Sequence, residues 1–226
     1  MDDIYWNIKN IVVSGEEWML TLLFDFDGTI VDSFNCVVDK AVLLAEAFHF
    51  RKIEEHEREH LRTLSSMELI KFLGIPLYQI PTLIYHMRKY LHVEMEKLPP
   101  VADIDHILEK LHAKHFTLGI LTSNSIENVA LWLRVNKMDH FFKFIHCESN
   151  FVSKKYLLHK TLKTYQLDPA HTFLVGDETR DIEAAHKNGV KSIAATWGYN
   201  AEDTLMKFQP AFIAKKPADL ITICAG

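Results

Sequence analysis

Cysteine is scarce in this sequence and follows no recognisable pattern. The 226 residues contain three cysteines, Cys36, Cys147 and Cys224, without a C-x-x-C spacing. An odd number of widely separated cysteines argues against a disulfide framework and against a cysteine-ligated zinc site. The first residues, Met1-Asp2-Asp3, also lack the basic and apolar regions of a secretory signal or a transit peptide. These absences favour a reducing compartment, and we expect the protein in the cytoplasm.

The sequence also lacks an excess of positive charge. It has 25 Lys and Arg residues against 30 Asp and Glu residues, which gives a formal net charge of −5 with neutral histidines. Such a chain has little positive charge with which to neutralise a nucleic-acid backbone. No stretch approaches the ~20 consecutive apolar residues of a membrane-spanning helix, and neither G-x-x-x-x-G-K-S/T nor G-x-G-x-x-G occurs. We therefore expect no nucleic-acid partner, no membrane partner and no nucleotide-binding loop of these two types.

Short apolar runs alternate with helix-length segments along most of the chain. Apolar residues make up 48% of the sequence, and a chain of this length can bury a substantial core. Runs typical of buried strands lie at residues 19–24, 116–121, 142–146, 172–175 and 192–195. Helices are predicted between them, at 103–114, 126–135, 156–165 and 179–188. This alternation predicts an α/β fold, a Rossmann-like parallel sheet with helices on both faces.

One stretch, residues 34–98, interrupts the alternation. Apolar residues at helical spacing predict three helices within it, at 37–48, 61–73 and 81–96. We interpret this stretch as a helical domain inserted into an α/β core that comprises residues 1–33 and 99–226. The sequence leaves open whether residues 1–18 form an added strand or an arm.

Carboxylates stand at the ends of two predicted strands. Asp25 and Asp27 follow the first strand, and Asp177 and Asp181 follow the fourth. Ligands of open parallel sheets bind outside the carboxyl ends of the strands. Clustered carboxylates repel one another unless a divalent cation neutralises them, and hard oxygen ligands suit Mg²⁺. The sequence therefore predicts a Mg²⁺ site at this edge of the sheet.

The segment Asp25-Phe26-Asp27-Gly28-Thr29 follows an apolar strand and resembles the D-x-D-G-T motif of phosphatases in the haloacid dehalogenase-like (HAD) superfamily. Segments similar to the other motifs follow in the family's order: Leu121-Thr122-Ser123-Asn124, Lys154 and Gly176-Asp177-Glu178-Thr179-Arg180-Asp181. The resemblance covers about residues 19–223 and is greatest to the phosphoglycolate phosphatase-like branch, including Thr196-Trp197-Gly198-Tyr199. It implies a hydrolase with an α/β core and an inserted helical cap.

The resemblance implies catalytic and metal-binding roles for the motif carboxylates. Asp25 would be the nucleophile that forms an aspartyl-phosphate, and Asp27 would act first as general acid and then as general base. The Asp25 carboxylate, the Asp27 main-chain carbonyl and Asp177 would hold Mg²⁺. Asp181 would be a further ligand or an outer partner.

The resemblance also implies a set of phosphate-binding residues. Thr122 and the main-chain amide of Ser123 would hold non-bridging phosphate oxygens, and Lys154 would offset the negative charge of phosphate and nucleophile. The neighbouring Lys155 is the alternative for this lysine. We prefer Lys154 because it follows a small residue, Ser153, as the family's lysine commonly does.

Substrate specificity in this family is set mainly by the inserted cap. Arg62, Ser65 and Ser66 lie at a predicted helix junction within residues 34–98 and are the candidates for contact with the substrate. The alternative interpretation is a solvated helix face.

The implied function is a Mg²⁺-dependent phosphatase that hydrolyses a small phosphorylated metabolite, a phosphate monoester, through an aspartyl-phosphate. A phosphomutase or phosphotransferase would pass the same phosphoryl group to a sugar hydroxyl instead of water. A non-catalytic binding module would keep only the fold, and the charged residues present in all the motifs argue against it. The sequence names neither the ester nor the oligomeric state.

Overall fold

The computed structural model describes residues 20–147 and 153–225. The strands are β1 (Thr21–Phe24), β2 (Thr117–Thr122), β3 (Phe144–Cys147), β4 (Thr172–Gly176), β5 (Lys191–Ala195) and β6 (Phe212–Ala214). They form one sheet in the order β3-β2-β1-β4-β5-β6, and every neighbouring pair is parallel. The predicted parallel α/β fold is confirmed.

The sheet contains one strand that the sequence analysis did not predict. The missed strand is β6, because its three residues form too short an apolar run to stand out. The five predicted strands are all present, with ends shifted by at most two residues. Met19, which was included in the first predicted strand, and residues 1–18 lie outside the described residues.

Strand β1 occupies the middle of the sheet, between β2 and β4. Phe24, its last residue, stands opposite Ile120 and Val175 of these neighbours, so the chain leaves all three strands at the same edge. Side chains alternate along a strand, and those of β1 enter two apolar clusters, Phe24 in one and Leu23 in the other. Both faces of the sheet are therefore covered.

Helices from the core segments provide this cover. They are α5 (Ile104–Ala113), α6 (Ile126–Val135), α7 (Lys154–Thr164), α8 (Thr179–Asn188), α9 (Glu202–Met206) and α10 (Asp219–Ile223). Trp132 of α6 is fully buried; its indole Nε1–H donates to the carbonyl of Leu98 at 2.9 Å and its ring meets the edge of Phe26. Gly189 ends α8 in the left-handed conformation that favours glycine.

Residues 34–97, all of them described, contain helices and no strand. The helices are α1 (Phe34–Phe48), α2 (Arg58–Leu61), α3 (Ser66–Leu73) and α4 (Ile80–Glu94), with short 3₁₀ turns at Glu55–Glu57, Leu77–Gln79 and Met95–Lys97. Phe34, Val38, Leu61 and Leu73 belong to an apolar cluster of this segment's own. A separate cluster is what an inserted domain requires, and the division of the chain at 34–98 stays a prediction.

The helix predicted over residues 61–73 is two helices, α2 and α3, because Ser65 begins the second one. The Ser65 hydroxyl accepts from the main-chain amide of Glu68, and the Glu68 carboxylate accepts from the Ser65 amide at 2.8 Å. This reciprocal capping box starts a new helix.

In the described part of the chain, no helix is both long and apolar enough to cross a membrane.

Candidate active site

Lys154 lies between two carboxylates at the carboxyl edge of the sheet. Its Nζ is 2.5 Å from Oδ2 of Asp25, which follows β1, and 2.6 Å from Oδ1 of Asp181 in α8. All three side chains are buried. Burial alone would lower the pKa of Lys154, but the charges of Asp181 and Asp25 raise it above its ordinary value. Lys155 instead pairs with Glu183 at 3.5 Å and is half exposed.

Asp177, the residue after β4, is enclosed by donors and by glycines. Its Oδ1 accepts a hydrogen bond of 2.6 Å from the Thr29 hydroxyl, and its Oδ2 accepts one of 2.6 Å from the amide of Tyr199. A Cβ at either Gly28 or Gly198 would overlap this carboxylate. Gly28 also has a φ of +78°, in the left-handed region. The Asp177 carboxylate therefore fits its surroundings only because positions 28 and 198 are glycines without a Cβ.

The carboxylates of Asp25, Asp177 and Asp181 come together as one acidic group. One oxygen from each lies within 4.8 Å of the others, and all three residues are buried. Burial, followed by the charge of Asp25, raises the pKa of Asp177 well above its ordinary range. Burial likewise raises the pKa of Asp181 to about 6, although Lys154 acts in the opposite direction. Lys154 and Arg180 also act on this group, but Arg180 is itself paired with Glu178, so an excess of negative charge remains. This donor set fits a divalent cation that prefers oxygen ligands.

Asp27 stands between two hydrogen-bond donors. Its Oδ2 accepts from Nδ2 of Asn124 at 2.9 Å, and its Oδ1 accepts from the hydroxyl of Ser33 at 3.2 Å. Burial, and then the charge of Asp25, raises the pKa of Asp27 to about 6, while the two hydrogen bonds act to lower it. A carboxyl with this pKa can be protonated or ionised near neutral pH, which is what a group that first donates and then accepts a proton needs.

The turn after β2 lies beside this carboxyl. Thr122 is buried, and its Oγ1 accepts from the amide of Asn124 at 3.0 Å. The carbonyl of Ser123 accepts from the guanidinium of Arg88 in α4. The residues that the sequence singled out on three separate strands, Asp25, Thr122 and Asp177, therefore end at one edge of the sheet, because β1, β2 and β4 are neighbours.

Comparison with known proteins identifies the family of this chain. Residues 22–195 match the model of the haloacid dehalogenase-like hydrolases. The chain belongs to this family. The resemblance seen in the sequence motifs is thereby confirmed, and the protein is a HAD-like hydrolase.

Individual relatives cover nearly the whole chain. A phosphoglycolate phosphatase from Synechococcus elongatus is 32% identical over 206 residues, which are 90% of this chain and 96% of that protein. The pyrophosphatase PpaX from Anoxybacillus flavithermus is 26% identical over 216 residues, 90% of this chain and 95% of that protein. Among solved structures, a HAD-like family protein from Streptococcus pneumoniae superposes with a TM-score of 0.75 at 22% identity, over 91% of this chain and 98% of that one. That structural likeness shows the fold.

The three candidate specificity residues of this HAD-like chain occupy different positions. Ser66 donates a hydrogen bond of 2.9 Å to Glu178, the residue after Asp177. Arg62 stacks its guanidinium 4.0 Å from the ring of Phe34 and donates to the carbonyl of Gly198. The hydroxyl of Ser65 is used within the α3 capping box. Arg62 and Ser66 therefore contact the loops after β5 and β4, and contact with a substrate stays a prediction for all three.

The structure adds residues that the sequence analysis did not assign. Thr29 and Asn124 lie within the motif segments, and each donates a hydrogen bond to a motif carboxylate, Thr29 to Asp177 and Asn124 to Asp27. Tyr199 has its hydroxyl 3.0 Å from Oγ of Ser33, and burial raises the pKa of that phenol well above its ordinary value. Asn128, in the first turn of α6, donates to the side chain of Asn124, which precedes that helix. The spacing of four residues was the available signal for Asn128.

Proposed function

We propose that this HAD-like hydrolase is a Mg²⁺-dependent phosphatase that hydrolyses a small phosphate monoester through an aspartyl-phosphate on Asp25. The observation that carries the proposal is the Lys154 ammonium held 2.5 Å from the Asp25 carboxylate within a buried acidic group. A buried carboxylate paired with a cation suits attack on an anionic phosphorus, because the cation offsets the repulsion between the two anions. The phosphatase relative at 32% identity supports the same reaction class.

Asp25 would supply the nucleophilic oxygen. Its Oδ1 accepts from the amide of Phe26 at 2.8 Å, and its own amide donates to Val175 of β4 at 2.8 Å, so both its side chain and its backbone are fixed. Attack forms the bond from the Asp25 oxygen to phosphorus while the bond from phosphorus to the leaving oxygen breaks. This covalent step divides one difficult displacement into two easier ones.

Asp27 would move the protons of both steps. In the first step its proton goes to the leaving oxygen, which departs as an alcohol. In the second step ionised Asp27 takes a proton from water as the water oxygen attacks phosphorus, so that Asp25 and inorganic phosphate are released. The pKa of about 6 supports this use of Asp27 in both protonation states.

Asp25, Asp177, Asp181 and the main-chain carbonyl of Asp27 would hold the cation. When bound, Mg²⁺ supplies positive charge that lowers the repulsion between the phosphate and the carboxylates. Thr122 and the amide of Ser123 would bind the non-bridging phosphate oxygens. Lys154, which pairs with Asp25, would also bind the phosphate.

We further propose that residues 34–98 form a helical cap domain over this edge of the sheet. Arg88, Arg62 and Ser66 each reach a loop of the core that borders the site, which supports a cover that also selects the substrate. A small phosphorylated metabolite fits this arrangement, with no nucleic acid or membrane as partner. The three cysteines are unpaired, which is compatible with the reducing cytoplasm that we propose as the location.

A panel of phosphate esters that includes 2-phosphoglycolate, assayed with and without Mg²⁺, tests the proposal. We expect phosphate release that requires Mg²⁺ and that falls at least ~10³-fold in Asp25→Asn, because the nucleophile is lost. Asp32→Asn is the matched control: Asp32 is an exposed carboxylate seven residues after Asp25, and its variant should keep activity within about twofold.

Three results would contradict the proposal. Robust phosphate release by Asp25→Asn would exclude the aspartyl-phosphate. Transfer of the phosphoryl group to an added sugar in preference to water would make the protein a phosphotransferase. Inactivity of the folded wild-type protein across the panel would favour a binding module.

A further inference from the structure

A row of polar side chains joins Asp27 to helix α4. Asn124 Nδ2 is 2.9 Å from Asp27 Oδ2, and Asn128 Nδ2 is 3.0 Å from Asn124 Oδ1. The row ends at His92 of α4, whose Nδ1 is 2.6 Å from Asn128 Oδ1. It therefore begins at the proposed general acid, crosses the start of α6 and ends on the helical segment.

The hydrogen bond to its backbone neighbour identifies which end of the Asn124 amide faces Asp27. Its Oδ1 accepts at 2.8 Å from the main-chain amide of Ser125, a group that can only donate. The opposite end of the amide, Nδ2, must then face Asp27. Rotation of the amide by 180° would place oxygen against the carboxylate and nitrogen against an N–H, which costs both hydrogen bonds.

The orientation of Asn128 follows from the same reasoning. Its Nδ2 faces two oxygens that can only accept, Oδ1 of Asn124 at 3.0 Å and the carbonyl of Arg88 at 3.4 Å. Its Oδ1 consequently faces His92, so the His92 Nδ1 must carry the hydrogen. In each hydrogen bond of the row, the acceptor is therefore the partner nearer to Asp27: His92 donates to Asn128, Asn128 to Asn124, and Asn124 to Asp27.

The middle of the row is enclosed within the protein. Asn124 is 3% exposed and Asn128 is 1% exposed, whereas His92 is at the surface. A buried amide that loses a partner keeps the cost of its desolvation, so the two asparagines hold each other in place. Asn128 makes no contact with Asp25, Asp27 or Lys154 among its hydrogen bonds.

We propose that Asn128 is a positioning residue for the reaction: it holds the Asn124 amide toward Asp27 and connects that amide to the placement of α4 through His92. This inference rests on the proposed function, in which Asp27 moves the protons. Because α4 belongs to residues 34–98 and α6 to the core, the complete row exists only when α4 is seated against α6. Seating of the helical segment and alignment of the proton donor are then one event.

Steady-state kinetics of Asn128→Ala test the positioning role. We expect kcat to fall about 10- to 100-fold, as for misplacement of a reacting group, and KM to stay within about threefold, since Asn128 does not reach the substrate. The control is Asn136→Ala, because Asn136 follows the same helix and its side chain donates to the carbonyl of Trp132, away from the row. An equal kcat for the two variants, at equal unfolding temperature, would overturn the proposal.

Substitutions of His92 test the connection to α4. An asparagine side chain carries its nitrogen near the position of a histidine Nδ1, so His92→Asn should keep kcat within about threefold, whereas His92→Leu should lose about tenfold. His86→Leu provides the control on the same helix, where His86 contacts the rings of Phe48 and Tyr85 instead. Equal kcat for His92→Asn and His92→Leu would remove His92 from the row.

Nitrogen-15 spectra of the histidine rings provide a measurement independent of activity. When the His92 ring is neutral, which the same spectra report, we expect it to carry its hydrogen on Nδ1 in the wild type and to lose this preference in Asn128→Ala. The His92→Asn spectrum identifies the signal. A wild-type His92 protonated only on Nε2 would refute the row even in an active enzyme. Absence of phosphate release from the wild type would refute the proposed function and the positioning role together. The spectra would still show whether the row of hydrogen bonds exists.

Discussion

Ser66 and Glu178 form a hydrogen bond of 2.9 Å between the start of helix α3 and the loop that follows strand β4. Glu178 is the neighbour of Asp177 in sequence and also accepts from Arg180 at 2.8 Å. One serine hydroxyl thus joins the helical segment to the loop that carries a buried carboxylate of the proposed site.

Ser66→Ala should lower kcat/KM of the phosphatase reaction by about three- to tenfold. Loss of one hydrogen bond between the helical segment and the core corresponds to about 1 kcal/mol. Ser65→Ala is the variant for comparison, because Ser65 caps α3: a residue that only caps should lose about 1 kcal/mol of unfolding free energy with kcat/KM within about twofold, whereas a contact with the substrate would lower kcat/KM as well. Steady-state kinetics and denaturant unfolding distinguish the two. A lower kcat/KM in Ser65→Ala alone, with Ser66→Ala unchanged, would show that the hydrogen bond from Ser66 to Glu178 does not contribute to the reaction.

Lys154→Met should lower the phosphatase activity at least ~10²-fold and should also destabilise the folded protein. The change leaves Asp25 and Asp181 buried without their shared cation, and removal of one partner from a buried ion pair costs about 3–5 kcal/mol. Unfolding in EDTA measures the second effect, because a bound divalent cation would mask it. Lys155→Met should leave both quantities nearly unchanged, since Lys155 makes an exposed pair with Glu183. Loss of activity only in Lys155→Met would transfer the role to Lys155.

Gly28→Ala should weaken Mg²⁺ binding, whereas Gly74→Ala should not. Both glycines have positive φ, +78° and +67°, so both substitutions carry backbone strain of about 1 kcal/mol. They differ in their surroundings: a Cβ at Gly28 overlaps the Asp177 carboxylate, and a Cβ at Gly74 meets nothing within 4 Å. Titration calorimetry with Mg²⁺ compares them. Equal Mg²⁺ affinity in the two variants would show that Asp177 does not contribute to the cation site.

Without a divalent cation, the free energy of unfolding should fall as the pH rises from about 4 to about 7. Burial raises the pKa of Asp27 and of Asp181 to about 6 in the folded protein, whereas unfolded Asp titrates near 3.9. The folded state therefore binds more protons in this window. The stabilisation is complete below about pH 4 and is lost as the pH passes through about 6.

Urea unfolding in EDTA at a series of pH values measures this dependence. Saturating Mg²⁺ should flatten it, because the cation stabilises the ionised carboxylates of the folded state, and Asp27→Asn should reduce the slope without Mg²⁺. A free energy of unfolding that rises with pH across this window in EDTA would mean that the folded protein favours the ionised form of these carboxylates, contrary to the prediction.

The sequence predicted the part of the site that depends on strand ends. Apolar runs located five strands, and parallel strands place their carboxyl ends at one edge, so Asp25, Thr122 and Asp177 had to converge once the sheet order was given. Local chemistry also located α6 and α8 at their observed bounds. The helix predicted over 61–73 did not end at the break between α2 and α3, although Arg62, Ser65 and Ser66 were expected at a helix junction, because the apolar spacing continues across the break and only the Ser65 cap marks it.

The remaining parts of the site depend on contacts between distant segments, which spacing along one chain does not show. Thr29 meets Asp177 across 148 positions, and Asn124 meets Asp27 across 97. The Asn128 row additionally requires α4 to lie against α6, a packing relation between two segments whose own patterns indicate only helices. Local pattern therefore predicted the carboxylates and not the donors that orient them.

The central position of β1 gives the two halves of the site different exchange behaviour. The Asp25 amide donates to Val175 in the interior of the sheet, so its hydrogen should exchange with solvent only when the whole core unfolds. The Arg62, Ser66 and His92 contacts instead belong to exposed or half-buried side chains at the border of the helical segment. We therefore expect the contacts of these three side chains to open and re-form more often than the amide of Asp25 exchanges, while the nucleophile keeps its backbone position.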